Sequence, residues 1–244
     1  MTGNRKNSKT EKLFVSHANG GIQKTSFIDY PGKIAAVIFT NGCNFSCGYC
    51  HNGDLAQGSS EKSLEEHEIL KYLKSRINKL DAVVISGGEP TLQKDLAHFI
   101  KEIKAMSFPV KLDSNGTNPE IIKKLVSEKL VDYIAMDVKA PLEKYELITS
   151  RKIDVNKIKD SIDFIKNCGI DYEFRTTVVK SQLSFDDFEK IGRLLSGSRL
   201  YFLQKFKNNS TLNLDFAKEE TYSDEEFLKI KSMLEKYIKN IGIR

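Results

Sequence analysis

Ile34-Ala35-Ala36-Val37-Ile38-Phe39-Thr40-Asn41-Gly42-Cys43-Asn44-Phe45-Ser46-Cys47-Gly48-Tyr49-Cys50 decides how the rest of the chain is read. Its first six residues form a short apolar run rich in β-branched side chains, the pattern of a core strand. A loop follows with three thiols spaced C-x3-C-x2-C and an aromatic residue before the third. Three thiolates can hold three irons of a [4Fe–4S] cluster, whereas such clusters normally take four cysteines. One iron is then left for an exogenous ligand with paired N and O donors. The same spacing also offers three of the four ligands of a structural zinc site. A fourth is hard to find. His51 follows Cys50 too directly to turn back onto the same metal. Cys168 lies far downstream in Phe164-Ile165-Lys166-Asn167-Cys168-Gly169, which reads as a helix C-terminus ended by glycine, and is taken as an inert buried thiol.

Moving outward, apolar β-branched runs alternate with amphipathic helical stretches, the signature of βα units around a parallel sheet. The expected strands are Ile34–Phe39, Ala82–Ser86, Val110–Ser114, Tyr133–Val138, Tyr172–Val179 and Leu200–Phe206. The expected helices are Leu64–Leu80, with a capping box from Ser63 to Glu66, then Asp95–Met106, Glu120–Glu128, Ile158–Asn167 and Phe185–Leu195. After the last strand, Ser223-Asp224-Glu225-Glu226 caps a terminal helix with Phe227, Ile230, Leu234, Tyr237 and Ile241 on one side. Six βα units imply an α/β fold built as an open partial barrel.

In parallel α/β architectures the site gathers at the carboxyl ends of the strands. Each polar motif of this chain stands at such an end. The cysteine loop follows the first strand, Gly87-Gly88-Glu89-Pro90 the second, Asp113-Ser114-Asn115-Gly116 ends the third, and Asp137-Val138-Lys139 ends the fourth. Gly87 and Gly88 can bring bare backbone close to a ligand, although a Gly-Gly pair is by itself more often a tight turn. Asp113, Ser114 and Asn115 suit hydroxyl and ammonium recognition, or form an ordinary polar turn. Asp137 and Lys139 face the same way along the strand, which fits either a ligand pair or a rim ion pair. Arg175 shares a face with Glu173, and a salt bridge between them is the structural alternative to a site role. His17, His67 and His98 have no motif support.

Composition sets outer bounds. At 244 residues the chain can bury one substantial core, and four Cys with three in one loop do not make a disulfide framework. The expected organisation is a tail at 1–12 and a single domain at 13–244. That tail has no apolar h-region, and the longest apolar run is too short to span a bilayer, so a cytoplasmic protein with no membrane partner is expected. The formal net charge of +5 comes from Lys and Arg interleaved with Asp and Glu along helices, which argues against nucleic-acid binding.

C-x3-C-x-aromatic-C resembles the cysteine motif of the radical S-adenosylmethionine (SAM) enzymes. Phe27–Ile34, Val37–Phe45 and Tyr49–Asn52 resemble the glycyl-radical activating enzymes, in particular the longer proteins that activate anaerobic ribonucleoside-triphosphate reductase. The likeness runs from about Gly21 to Phe206. It implies a partial (β/α)6 TIM-like barrel of the radical SAM type with a C-terminal helix. It further implies one [4Fe–4S] cluster on Cys43, Cys47 and Cys50, with SAM chelating the open iron. Ser86–Pro90 would bind the methionyl amino group, Leu112–Gly116 and Met136–Lys139 would supply further SAM contacts, and Lys139 would meet the SAM carboxylate. Strand geometry points Arg175 into or around the barrel mouth, and by the same resemblance Gln204 matches the family's last-strand segment and would line the peptide channel. The implied chemistry is one-electron cleavage of SAM and hydrogen abstraction from a glycine of a partner glycyl radical enzyme, with flavodoxin or ferredoxin as electron donor. The alternatives are a small-molecule radical SAM enzyme similar to 7-carboxy-7-deazaguanine synthase, and a zinc-binding interaction module.

Overall fold

Ala35 and Val37 point to one side of their strand and Ala36 and Ile38 to the other, and none of the four is more than 2% exposed. A strand covered on both faces belongs inside a layered α/β fold. The computed structural model describes residues 21–58, 64–208 and 211–244. It places this strand second in an 8-stranded sheet whose order follows the chain. The elements are β1 (Ile22–Tyr30), β2 (Lys33–Thr40), α1 (Gly53–Ala56), α2 (Glu66–Ser75), β3 (Ala82–Gly87), α3 (Leu96–Ala105), β4 (Val110–Ser114) and α4 (Pro119–Ser127). There follow β5 (Tyr133–Asp137), α5 (Tyr145–Thr149), α6 (Val155–Asn167), β6 (Asp171–Val178), α7 (Phe185–Leu194), β7 (Tyr201–Lys205), α8 (Asp224–Leu234) and β8 (Ile241–Ile243). β1 is antiparallel to β2, and each neighbouring pair from β2 to β8 is parallel. β1 and β8 end the order without pairing to each other, so the curled sheet is an open half-barrel.

The outer face carries the large apolar side chains. Ile38, Ile85 and Leu112 meet Ile69, Leu73, Phe99 and Ile103 of α2 and α3. Phe174 and Leu203 belong to a second cluster with Ile158, Ile162, Phe188, Phe227 and Leu234. Each such burial contributes roughly 1.5–3 kcal/mol. Inside the curl the side chains of β2, β3 and β5 are small: Ala35, Val37, Ala82, Val84 and Ala135, beside Tyr30 and Tyr133. That choice of residues leaves room in the barrel for polar groups.

The six expected strands are present as β2 to β7. Two strands were not expected. In β1 the register slips between Gln23 and Ser26 and again between Ser26 and Tyr30, which destroys the period-2 pattern and leaves Phe27 and Ile28 adjacent and exposed. The terminal helix keeps its Ser223–Glu226 capping box but stops at Leu234 rather than reaching Ile241. Ile241 instead opens β8, opposite Tyr201. A spacing of four between Tyr237 and Ile241 mimics helical period across what is a turn. α2 starts later than expected and ends earlier, at Ser75, with Glu65 at its cap and the Glu65 N–H donating to the Glu68 carboxylate at 3.0 Å. Ser63, His17 and the 1–12 segment lie outside the described residues. Among the described residues no helix is long and apolar enough to cross a membrane.

Candidate active site

β2 delivers the chain to the cysteine loop, which is tied down by backbone hydrogen bonds. The Gly42 and Cys43 N–H groups donate to Leu55 O (2.8 Å) and Ala56 O (3.1 Å), and the Ser46 N–H donates to Thr149 O of α5 (2.8 Å). Within the loop the Cys50 N–H donates to Cys47 O (3.0 Å). All three thiols are free; Cys43 and Cys50 are half-buried and Cys47 is buried. Burial pushes the Cys43 thiol up to about 12, against the opposing hydrogen bond from the Phe45 N–H. Burial also raises Cys47, with the Lys139 charge working the other way. Asn115 Nδ2 donates to Asn44 Oδ1 at 2.8 Å, and Asn44 Nδ2 to Thr117 Oγ1 at 2.9 Å, joining the loop to the end of β4.

The turn after β3 needs both of its glycines. Gly87 has φ of +109°, and a Cβ on Gly88 would lie 2.1 Å from the Gly42 carbonyl oxygen. This contact brings the second strand end against the cysteine loop, where the Glu89 N–H also donates to Gly42 O (2.8 Å). The Glu89 side chain, only 1% exposed, points the other way. It accepts hydrogen bonds from the Thr91 N–H (3.1 Å), Thr91 Oγ1 (2.5 Å), Ser114 Oγ (2.8 Å) and the Asn115 N–H (2.7 Å). Burial raises its pKa, and these donors oppose the rise. Glu89 therefore acts as a bracket between β3 and β4.

Deeper in the mouth stands a ladder of charges. Asp137 and Arg175 are register partners across β5 and β6, and Arg175 Nε donates to Asp137 Oδ1 at 2.8 Å. Arg175 Nη1 donates to Asp113 Oδ2 at 3.2 Å, and Lys139 Nζ to Asp137 Oδ2 at 2.9 Å. Burial works against the charged form of Asp137, but Arg175 and Lys139 together hold its carboxyl well below the usual range. Burial likewise disfavours the Lys139 ammonium, and Asp137 more than restores it. Lys111 Nζ lies 3.4 Å from Asp113 Oδ1, an oxygen that is buried and has no hydrogen-bond partner. Arg175 reaches Glu173 only at 4.0 Å. Glu173 is instead forked by Arg244 at 3.0 and 3.1 Å and accepts from Tyr133 Oη at 3.1 Å.

These groups share one cavity of about 440 Å³. Cys43, Cys47 and Cys50 line it together with Gly87, Gly88, Glu89, Asp113, Ser114, Asn115, Asp137, Lys139 and Arg175, and Gln204 does too. Cys168 is absent from its wall and donates to Ile165 O at the end of α6 (3.3 Å). His51 Nε2 lies 2.7 Å from Lys207 O, a contact that occupies one of its ring nitrogens. Among the described residues no three His, Cys, Asp or Glu side chains are grouped closely enough to hold a single metal ion. Sequence reading missed Asn52, Thr177 and Arg244 as wall residues. Thr177 could have been found by extending the inward-facing period of β6 beyond Arg175, but Arg244 follows directly on the unforeseen β8.

Residues 37–195 match the family model described as the radical SAM superfamily. A Methanocaldococcus jannaschii protein whose name places it among the glycyl-radical enzyme activating enzymes is 38% identical over 234 residues, 92% of this chain and 94% of that one. The pyruvate formate-lyase-activating enzyme of Clostridium pasteurianum is 26% identical over 235 residues, 90% of this chain and 96% of its own length. Among solved structures, SuiB of Streptococcus suis bound to S-adenosylmethionine superposes with a TM-score of 0.64 at 13% identity. That match covers 85% of this chain and 49% of SuiB, so the chain spans about half that protein's length. A domain of pyruvate-formate lyase-activating enzyme from Bacteroides vulgatus gives 0.54 at 14% identity, covering 66% of this chain and 98% of the domain. At these identities the structural matches speak to the fold.

Proposed function

This chain belongs to the radical SAM superfamily and, within it, to the glycyl-radical enzyme activating enzymes, and from that premise we propose that Cys43, Cys47 and Cys50 hold one [4Fe–4S] cluster beside a SAM site. The single observation that carries this reading is the sharing of one cavity by the three free thiols and the carboxyl ends of β3 to β7, while among the described residues no three His, Cys, Asp or Glu side chains are grouped closely enough to hold one metal ion. Thiols that line a common space without converging on a point suit a body larger than one ion, so they favour a cluster over zinc. The bare backbone of Gly87-Gly88 suits a polar ligand at the same mouth.

Held there by Cys43, Cys47 and Cys50, a cluster with SAM would supply one-electron radical chemistry, its electron coming from an external donor and its target being a glycine of a partner glycyl radical enzyme. The chain's own residues prepare the space. Gly87 and Gly88 let the backbone approach a ligand amino group. Lys139, fixed on Asp137, offers an ammonium to a carboxylate. Glu89 fixes the position of Ser114 and Asn115. Arg175, with its guanidinium spread over Asp113 and Asp137, acts through those carboxylates as a positioning residue. Phe45 and Tyr49, 3% and 5% exposed, keep water from the loop.

The partner we assign is anaerobic ribonucleoside-triphosphate reductase, with a flavodoxin or ferredoxin as electron donor and the cytoplasm as compartment. Support for the reductase is the likeness of Phe27–Ile34, Val37–Phe45 and Tyr49–Asn52 to its activating proteins. The test is anaerobic reconstitution with iron and sulfide, reduction, and addition of SAM with the reductase from the same genome. A glycyl doublet in the electron paramagnetic resonance spectrum, appearing only with SAM, is expected. SAM cleavage without a doublet on the reductase, and with one on another glycyl radical enzyme, would reassign the partner.

A further inference from the structure

The chain between β7 and α8 contributes no family motif and lies beyond residue 195, where the match to the superfamily model ends. It nevertheless returns to the cysteine loop. The Leu212 N–H donates to Cys50 O at 2.9 Å and the Asn213 N–H to Gly48 O at 3.0 Å, so consecutive amides grip the two residues that flank Tyr49. Phe216, in the short 3-10 turn Leu214–Lys218, lies over Gly48 so closely that a Cβ there would stand 2.3 Å from the ring. The ring also meets Tyr49 edge-on, with centroids 6.4 Å apart, and Phe206 at 6.3 Å. At the start of the segment Phe206 stacks on His51 (6.0 Å, planes 6° apart) and Lys207 O receives the His51 ring nitrogen. At Gly53 a Cβ would lie 3.1 Å from Leu212 Cα. Tyr49, Cys50, His51 and Lys207 line the cavity while Gly48 and Phe216 do not, so the seat of Phe216 on Gly48 lies behind the cavity wall.

We propose that residues 211–218, described between β7 and α8, form a clamp that presets the cysteine loop and shields its outer side, with Phe216 seated on Gly48 as the positioning residue. The inference rests on the reading of the three thiols as cluster ligands. The physical reasoning is local. A loop of eight residues carrying three ligands loses conformational entropy when it binds, and a loop already fixed at Gly42, Ser46, Gly48 and Cys50 loses less. Three neighbours share that fixing: α1 holds Gly42 and Cys43 through Leu55 O and Ala56 O, α5 holds Ser46 through Thr149 O, and the clamp holds Gly48 and Cys50. An aromatic ring over Gly48 also covers the loop against water and chelators from that side. Only glycine at 48 admits the ring, which ties Gly48 and Phe216 into one unit.

The test compares wild type, Phe216→Ala, Phe216→Tyr, Gly48→Ala and the double variant Gly48→Ala/Phe216→Ala. In reconstituted protein held anaerobically, loss of cluster absorbance to an iron(II) chelator should be about 10-fold faster in Phe216→Ala and in Gly48→Ala, the low end for loss of an outer-shell partner. Phe216→Tyr should stay near wild type. The double variant should release iron no faster than Phe216→Ala alone, since the three atoms nearest the added methyl all belong to the ring; such non-additivity marks direct contact. Hydrogen exchange in metal-free protein reads the clamp independently of any cluster: the Leu212 and Asn213 amides should exchange slowly in wild type and faster in Phe216→Ala. Wild-type release rates in both single variants, or additive effects in the double, overturn the proposal. A wild type that takes up no cluster while the exchange pattern holds overturns the cluster reading and leaves the clamp without its role.

Discussion

Gly88 shows how one residue can decide whether the site assembles. A methyl group there would meet backbone, the Gly42 carbonyl oxygen at 2.1 Å, and backbone on both sides cannot swing away as a side chain can. Gly88→Ala should therefore destabilise the metal-free protein by about 3 kcal/mol, the top of the range for overpacking. Gly169→Ala is the control. Its φ is +84° and nothing lies within 4 Å of an added Cβ, so only backbone strain of about 1–2 kcal/mol should appear. Denaturant unfolding checks both, and equal costs would mean that the approach to Gly42 is relaxed in solution. Asp137 makes a second prediction at this scale. Its folded pKa is depressed by Arg175 and Lys139 against the effect of burial, so its contribution to stability is present above its unfolded pKa of about 3.9 and lost as pH falls below that. Asp137→Asn leaves two cations short of a partner and should cost roughly 1–3 kcal/mol at pH 7. The difference from wild type should narrow as the pH is taken below about 4. A gap that persists unchanged in acid would show that the carboxylate charge is not what matters.

Among the elements, β8 carries more than its three residues suggest. It brings Arg244 to Glu173, a carboxylate with 0% exposure whose other short hydrogen-bond donor among the described residues is the Tyr133 hydroxyl. Arg244→Met should destabilise the protein by about 3 kcal/mol, the low end for breaking a buried pair because the arginine is 38% exposed. Glu173→Gln in the same background should recover part of that loss, and chemical denaturation of the single and double variants measures it; no recovery would show that packing against Phe202, not charge, is what Arg244 supplies. What was legible in the sequence divides along the same lines. Strands β2 to β7 announced themselves because each is an apolar run between amphipathic helices, and the residues at their ends declared the cavity because strand ends in this architecture face one side. β1 was hidden by its bulges, and β8 by a chance helical spacing from Tyr237 to Ile241. The role of Glu89 as a bracket and the grip of Leu212 and Asn213 on the cysteine loop depend on contacts distant in sequence, for which no local period exists.

At the scale of the molecule, the small residues inside β2, β3 and β5 and the charged ones inside β4 to β6 make one end of the barrel a polar mouth with the thiols at its rim. The sequence offered two further readings, a zinc module and a small-molecule enzyme. The most direct measurement is the yield of 5′-deoxyadenosine from SAM, taken anaerobically with reduced, iron- and sulfide-reconstituted wild type, Cys47→Ala and Cys168→Ala. Wild type and Cys168→Ala should both bind the cluster and cleave SAM, while Cys47→Ala should do neither, having lost a ligand at the cavity wall. Full cleavage by Cys47→Ala, or none by a cluster-loaded wild type, would contradict the three-thiol site.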